Sequence, residues 1–181
     1  MTDGTVEQRD GRVTFRYERL LNHSVEAVWQ AITDPEQLAR WLGTRPEIDL
    51  RPGGEYVTVH TSPDGATTHR VVDTVVRLEP PHLFEHTFWV QVNPSALVTW
   101  ELTPVSERAR LDLTHAVDLA DLKAAAGTVA NGDDLVTMLA RNGAGWHRLL
   151  DKLTSVLDGT EPAWSPAAQQ ALQQHYAALV R

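Results

Sequence analysis

The stretch DDLVTMLARNGAGWHRLLDKLTSVLDG, residues 133–159, decides the fold, because its apolar residues recur with the period of an α-helix. The residues on this stripe are Leu135, Leu139, Trp146, Leu150, Leu153 and Leu157. A helix of about 24 residues spans roughly 36 Å, and Gly159 is placed to end it. We therefore predict a long amphipathic helix that buries its apolar stripe against another element.

Upstream of this helix the sequence changes to the period of two that is typical of β-strands. In Arg12–Leu21, the apolar residues Val13, Phe15 and Tyr17 alternate with polar ones. Six further strands are predicted at 47–50, 55–61, 68–79, 82–92, 96–103 and 108–117. Short turns rich in Pro, Gly, Asn and Ser separate most of them, which favours antiparallel pairing.

Two short helices are predicted between the first strand and the rest. The first has an apolar stripe formed by Val25, Val28, Trp29 and Ile32. The second has Asp34 as its cap, Pro35 at its first position and Gly43 at its end. A curved antiparallel sheet of about seven strands, wrapped around the long helix, buries every apolar stripe. The predicted fold class is therefore α+β with a helix-grip arrangement.

The chain is long enough for one domain with a sizeable core, which we place at residues 11–159. Residues 1–10 are polar and are predicted to be a mobile tail. Residues 160–181 form an extension with a helix that starts at Ser165. Its narrow apolar stripe consists of Leu172, Tyr176 and Leu179. A helix with so narrow a stripe packs either on its own domain or on a second subunit, so a homodimer through this helix is one alternative.

Composition excludes several classes of function. The formal net charge is -8, and 14 of the 16 basic residues are arginines. This acidic balance argues against nucleic acid and anionic membranes as partners. The absence of cysteine excludes disulfides, thiol catalysis and thiolate metal sites, and makes a cytoplasmic location the expectation. No apolar run is long enough to predict a membrane-spanning helix.

The glycines in DLRPGGEYVTVH, residues 49–60, raise the question of a phosphate-binding loop. Such a loop leads into a helix whose free N–H groups contact the anion. Here a period-two strand follows, so Pro52 and Gly53 are predicted to occupy the centre of a type II turn. We exclude a nucleotide site and expect Tyr56, just after the turn, to face a cavity.

The segment HLFEH, residues 82–86, matches a zinc protease pattern that requires a helix. Its period-two continuation predicts a strand instead, in which His82 and His86 are about 13 Å apart. Two residues so far apart cannot bind one zinc ion, and we predict neither a metal nor another cofactor. No serine hydrolase motif occurs, so catalytic residues stay unassigned. The strand residues Glu85, Glu101 and Asp112 are expected to face water.

Five segments resemble one family when they are taken in this order: SVEAVWQAITDPEQLARWLG, DLRPGGEY, LEPPHLFEHTF, VTWELTPVSERARLDLTH and NGAGWHRLLDKLTSVLDG. They are similar to the Activator of Hsp90 ATPase homologue 1-like family of the START-like, or SRPBCC, superfamily. The resemblance covers about residues 12–159. It implies a helix-grip fold with an internal cavity, often for an apolar ligand. Members of the superfamily include carriers, polyketide cyclase-like enzymes and a co-chaperone domain.

Aromatic residues and histidines are expected to meet between the sheet and the long helix. The candidate ligand-binding residues are Trp41, Tyr56, His60, Phe84, His86, Phe88, Trp100, His115, Gly143 and Trp146. Gly143 and Gly145 each cost the helix about 1 kcal/mol relative to alanine. Either the sheet approaches the helix closely there, or the missing side chains leave room for a ligand.

Three hypotheses of function follow. The first is a protein that binds a small apolar or amphipathic molecule in its cavity. The second, which rests on the family description alone, is an activator of an Hsp90-type chaperone ATPase. The third is a cyclase or hydrolase acting inside the cavity, which a deep polar cluster with a shifted carboxylate or histidine would favour. The sequence leans against an enzyme.

Overall fold

The computed structural model describes residues 4–61, 67–129, 134–161 and 165–181, without the side chains of residues 126–129. The strands are β1 Thr5–Arg9, β2 Arg12–Leu21, β3 Glu47–Ile48, β4 Glu55–Thr61, β5 Thr68–Glu79, β6 Leu83–Thr87, β7 Leu97–Val105 and β8 Arg108–Asp118. The helices are α1 Val25–Thr33, α2 Pro35–Leu42, α3 Leu119–Val129, α4 Leu135–Leu157 and α5 Pro166–Leu179. Within these ranges, no helix combines the length and apolar character needed to cross a membrane.

The eight strands form one antiparallel sheet in the order β1-β2-β8-β7-β6-β5-β4-β3. On β2 the inward residues Val13, Phe15 and Tyr17 are buried, as their alternation predicts. They join one apolar core with the buried face of α4, which includes Leu139, Leu150 and Leu153. The predicted α+β class and helix-grip arrangement are therefore confirmed.

The prediction that residues 1–10 form a mobile tail is wrong for Thr5–Arg9, which pair with β2 as an added edge strand. Asp10 and Gly11 connect the two strands with φ values of 51° and 78°. Positive φ at both central residues is typical of the type I′ turn that closes two-residue hairpins. The sheet has eight strands because this hairpin adds one to the predicted seven.

The two short helices follow their predicted caps. Ser24 Oγ accepts a hydrogen bond from the Ala27 N–H at the start of α1. Asp34 Oδ1 accepts from the N–H groups of Glu36 and Gln37, and Gly43 ends α2 with φ 84°. The Trp41 indole N–H donates to the Ala31 carbonyl at 2.9 Å. These bonds fix the angle between α1 and α2 and hold the Trp41 ring inside the core.

The glycine turn before β4 is the predicted type II turn. The Gly54 N–H donates to the Arg51 carbonyl at 2.8 Å, and Gly53 has φ 80°. Tyr56 follows the turn on β4 and is buried.

Two segments, one before β7 and one after β8, differ from the predicted structure. The strand predicted at 82–92 ends at Thr87, because Trp89 turns the chain with φ 54°. The segment between β8 and α4, to which no strand or helix was assigned above, contains the helix α3. Asp118 Oδ1 accepts from the Ala120 and Asp121 N–H groups and caps that helix. Both differences matter because the two segments border the apolar cleft described below.

Helix α5 packs on its own domain. The Tyr176 ring is fully buried and contacts the rings of Phe15, Tyr17 and His147. Its hydroxyl accepts from the Gly4 N–H at 3.2 Å and lies 3.1 Å from His147 Nδ1. Of the two alternatives for the extension, the structure therefore shows packing on the domain.

Candidate functional site

An apolar cleft lies between α3, α4, the inner face of β8 and the segment that joins β6 to β7. It has a volume of about 400 Å³ and opens to solvent on one side. Apolar residues dominate its lining, among them Phe88, Val92, Ala96, Val117, Leu122 and Leu139. Volumes of this size are typical of small-molecule sites in proteins.

One wall of the cleft is residues 88–96, which we call the connecting wall. Its beginning is held by the buried carboxylate of Asp73 on β5. This carboxylate accepts from the Trp89 N–H at 3.1 Å, the Val90 N–H at 3.3 Å and the Thr87 hydroxyl at 3.2 Å. Burial raises the pKa of Asp73, and the bonds from the backbone N–H groups oppose that rise. Asp73 therefore stabilises the start of the connecting wall at the edge of the cleft.

The end of the connecting wall is bound to the junction of β8 and α3. Asn93 Nδ2 donates to the Asp118 carbonyl at 2.9 Å, and the Asp118 N–H donates back to Asn93 Oδ1 at 3.4 Å. The Ser95 hydroxyl donates to Asp121 Oδ2 at 2.8 Å. With both ends held, the wall keeps a defined shape against α4.

His115 on β8 contributes the one imidazole among the residues that border this cleft, and it is buried. The Trp146 indole N–H donates to His115 Nδ1 at 2.8 Å. Since an indole nitrogen can only donate, Nδ1 is the acceptor and the proton of the neutral ring is on Nε2. Burial lowers the pKa of His115 to about 3, so the ring is neutral at physiological pH.

The Asn142 side chain contacts the same edge of that imidazole, with Oδ1 3.0 Å from Nδ1. Nδ1 has one lone pair, which the Trp146 N–H uses, so Asn142 is a polar neighbour of this edge rather than a second donor to it. The other nitrogen of His115, Nε2, is buried and has no hydrogen-bond partner among the described residues.

A second, smaller cavity of about 60 Å³ lies beside the cleft, and Phe88 borders both. Its apolar side is a row of three indole rings, with centroids 6.1 Å apart for Trp41 and Trp100 and 5.7 Å apart for Trp100 and Trp146. Tyr56 and His86 contribute its polar side.

The polar side of the small cavity consists mostly of groups that already have partners. His86 Nδ1 donates to the Thr87 carbonyl at 2.6 Å, and His86 Nε2 accepts from the Trp100 indole N–H at 3.2 Å. Burial lowers the pKa of His86 to about 4. His60 Nε2 is 2.9 Å from the Thr58 hydroxyl. These bonds hold both histidine side chains in the lining of the small cavity.

The structure brings together most of the predicted site residues. Seven of them border the small cavity: Trp41, Tyr56, His60, His86, Phe88, Trp100 and Trp146. Phe88 and His115 border the cleft. Phe84 borders neither of these two cavities and packs beside Tyr56 and His86, with ring centroids 6.1 Å and 5.0 Å away.

Gly143 also borders neither cavity, which corrects its assignment as a lining residue. A β-carbon there would lie 2.6 Å from Tyr176 and 2.9 Å from Phe15. At this position, close approach of neighbouring elements explains the glycine. A β-carbon on Gly145 would meet nothing within 4 Å, so that glycine faces open space.

Sequence reasoning missed the residues of the connecting wall and of α3 that border the cleft, such as Val92, Ala96 and Leu122. The strand predicted at 82–92 included the first part of the connecting wall, and no helix was predicted where α3 lies. A signal for α3 was present, since the potential cap Asp118 precedes the strong helix formers of LADLKAAA.

Glu85 lies on the face of β6 opposite to Phe84 and His86, but the prediction that it faces water is wrong. It is buried under Arg77, whose Nε and Nη2 donate to its two oxygens at 2.9 Å and 3.1 Å. These bonds from Arg77 lower the pKa of Glu85. The strand predicted for HLFEH is confirmed over Leu83–His86. In the described part of the chain, no three His, Cys, Asp or Glu side chains are grouped closely enough for a metal ion.

Comparison with known proteins agrees with this geometry. The family model described as Activator of Hsp90 ATPase homolog 1-like protein matches residues 22–158. CalU16 from Micromonospora echinospora has a similar structure, with a TM-score of 0.71 and 23% identity over 98% of this chain and 96% of that one. EF2215 from Enterococcus faecalis, a conserved protein of unknown function, has a TM-score of 0.71 and 16% identity, over 98% and 90% of the two chains.

A third similar structure is the protein encoded by BPP1335 from Bordetella parapertussis. It is 28% identical, with a TM-score of 0.69, over 96% of this chain and 89% of that one. No curated protein gives a significant match to the sequence. The solved structures thus establish a common START-like helix-grip fold across most of the chain.

Proposed function

Because the chain belongs to the Activator of Hsp90 ATPase homolog 1-like protein family, we propose that it uses this fold to bind a small apolar or amphipathic molecule. The ligand occupies the cleft between the connecting wall and α4. The observation that carries the proposal is the cleft itself, which has a volume of about 400 Å³ and an apolar lining. A cleft of that size and character buries most of the surface of a small organic molecule.

The state of the buried polar groups favours binding over catalysis. Asp73 accepts hydrogen bonds from two backbone N–H groups, and both ring nitrogens of His86 have partners. A general base needs to reach the proton that it removes. Asp73 and His86 already use their polar atoms in hydrogen bonds within the protein, so they are poorly placed to remove a proton from a substrate. The cyclase or hydrolase alternative therefore has less support. Chaperone activation rests on the family description alone.

The first test is to fill the cleft. Val92 is half-buried in the connecting wall, and Val92→Trp would occupy much of the space that a ligand needs. The probe is 1-anilinonaphthalene-8-sulfonate, an amphipathic dye that fluoresces in apolar sites. Wild-type protein should bind about one dye molecule saturably, and Val92→Trp should lose that binding.

The matched control is Val76→Trp, because Val76 is 40% exposed on β5 and borders neither cavity. This variant should bind the dye as the wild type does. Equal dye binding by the wild type and Val92→Trp would overturn the assignment to this cleft. Native mass spectrometry of the purified protein would then identify the class of any molecule that co-purifies.

A further inference from the structure

We propose that Phe88 limits the length of the molecule that the cleft accepts, because its ring closes the cleft toward the small cavity. The ligand is then a short amphipathic molecule whose apolar end contacts this ring and whose polar end is directed toward solvent. The inference rests on the proposed function, since it concerns the ligand of the same cleft. Its basis is the position of one aromatic side chain between two cavities.

The Phe88 ring lies between residues of the two cavities, and Phe88 is the only described residue that borders both. On the cleft side it contacts His115, with ring centroids 5.0 Å apart and planes at 77°. On the other side it contacts Trp146, with centroids 5.1 Å apart, and Trp146 borders the small cavity but not the cleft. The ring therefore separates the two spaces.

A second aromatic pair crosses the same boundary. Trp89 borders the cleft, His60 borders the small cavity, and their ring centroids are 5.1 Å apart. The boundary is thus formed by side chains of two consecutive residues of the connecting wall. Since Phe88 contributes a side chain and not backbone to this boundary, a substitution at position 88 can open it.

The backbone that carries the Phe88 ring is held in place. Asp73 accepts from the N–H groups of Trp89 and Val90 at 3.1 Å and 3.3 Å. Trp89 has a φ of 54°, a left-handed conformation that a bulky residue keeps only where its surroundings impose it. A ligand that enters the cleft therefore meets the Phe88 ring at a defined position.

The space behind the ring is deep and has an apolar side. The three indole side chains that border it, Trp41, Trp100 and Trp146, belong to residues that are 2%, 4% and 5% exposed. With a volume of about 60 Å³, the small cavity is far below the size of an ordinary ligand site. Joined to the cleft, it would lengthen the apolar space that a chain can occupy.

This arrangement discriminates by length because the gain from apolar burial is proportional to the area removed from water. Each further methylene that enters the cleft should tighten binding by about three- to fourfold. A methylene that the ring excludes either stays in water or presses against packed side chains, so it adds no affinity. Affinity should therefore rise with chain length and level off at a length that Phe88 sets.

The test measures binding of the straight-chain 1-alkanols from butanol to dodecanol to the full chain by isothermal titration calorimetry. For the wild type we expect the Kd to fall about three- to fourfold per methylene and then to level off. In Phe88→Ala the fall should continue. The first alkanol beyond the wild-type limit should bind this variant about threefold more tightly than the last alkanol within it.

The matched control is Phe84→Ala, because Phe84 is a buried aromatic residue on β6 that borders neither cavity. Its length limit should equal that of the wild type, which separates opening of the boundary from general loosening of the core. Phe88→Leu is a smaller change at the boundary itself. It should move the limit in the same direction as Phe88→Ala but less far.

The outcomes separate the inference from the proposed function. The same limit in the wild type and both Phe88 variants, or an equal shift in Phe84→Ala, overturns the inference and leaves the proposed function supported. Binding of no alkanol to the wild type overturns both.

A measurement on the wild type decides if the variants fail to fold. In nuclear magnetic resonance spectra, the terminal methyl group of the alkanol at the length limit should show nuclear Overhauser effects to the Phe88 ring. None is expected to Trp41, which borders the small cavity alone. A methyl group that contacts Trp41, or that does not contact Phe88, would refute the proposal.

Discussion

A β-carbon built on Gly143 would lie 2.6 Å from Cδ1 of Tyr176, so α4 has a glycine at the place where α5 packs against it. On the other side the same β-carbon would be 2.9 Å from Cε1 of Phe15. Real side chains do not approach so closely, and both neighbours are buried rings with little room to move. The contact of α5 with the domain therefore depends on the absence of a side chain at position 143.

We expect Gly143→Ala to destabilise the protein by about 1 to 3 kcal/mol, because overpacking forces the two rings or the helix to shift. The matched control is Gly145→Ala, two positions further along the same helix. Its new methyl group meets nothing within 4 Å, so the change should stabilise the helix by up to about 1 kcal/mol. Urea unfolding measures both free energies, and effects of the same sign would contradict this account of Gly143.

Tyr176→Phe removes the hydroxyl that accepts from the Gly4 N–H and lies beside His147 Nδ1. We expect the free energy of unfolding to fall by about 1 to 3 kcal/mol, because the buried polar groups that contact this hydroxyl lose it as a hydrogen-bond partner. Thermal or urea unfolding measures the loss. Leu179→Ala serves as the control on the same helix, because Leu179 is 43% exposed, and it should change stability by less than about 1 kcal/mol.

Arg19 on β2 and Asp151 on α4 form an ion pair at 3.2 Å, with side chains that are 8% and 9% exposed. Removing one partner leaves a buried charge, so Arg19→Met should cost about 3 to 5 kcal/mol. The double variant Arg19→Met with Asp151→Leu should recover much of this loss. For comparison, Arg51→Ala breaks an exposed pair with Asp49 and should cost about 1 kcal/mol at most. A double variant less stable than Arg19→Met would contradict the prediction.

The buried histidines predict how stability changes with pH. Burial lowers the pKa of His86 from 6.5 to about 4, so between these values the unfolded chain binds more protons than the folded one. Stability that is present above pH 6.5 is therefore lost as the pH falls toward 4. The maximum slope from one such group is about 1.4 kcal/mol per pH unit, and His115 acts in the same direction.

His86→Gln should reduce this slope, as measured by urea unfolding at several values between pH 4 and 6.5. The slope is the informative quantity, since the substitution also changes packing at every pH. His69→Gln is the control, because His69 is exposed on β5. An unchanged slope in His86→Gln would show that this imidazole does not titrate as its burial requires.

Local sequence patterns predicted most of the fold. The caps at Ser24 and Asp34 and the turn at Gly53 all follow from interactions within four residues along the chain. Where the prediction was wrong, a local signal was sometimes present. Asp10 and Gly11 are a strong hairpin pair between β1 and β2, but the polarity of residues 1–10 favoured a tail.

The site was harder to predict because strand parity shows which face a residue is on but not which space it borders. Parity placed His115 inside the sheet, as observed. It did not show that Trp146, 31 positions away in the chain, bonds to one nitrogen of that ring. Nor did it show that the other nitrogen has no partner among the described residues. That arrangement depends on the rotation of α4 over β8.

By itself, therefore, the sequence determined the order of most elements, the fold class and the family. Periodicity, capping and turn chemistry act between near neighbours, so they can be inferred from the chain directly. Only the tertiary structure decided that Gly143 serves packing against Tyr176 and that the connecting wall and α3 complete the cleft. Those outcomes depend on distances between side chains that are far apart in sequence, and the packing of the whole domain sets such distances.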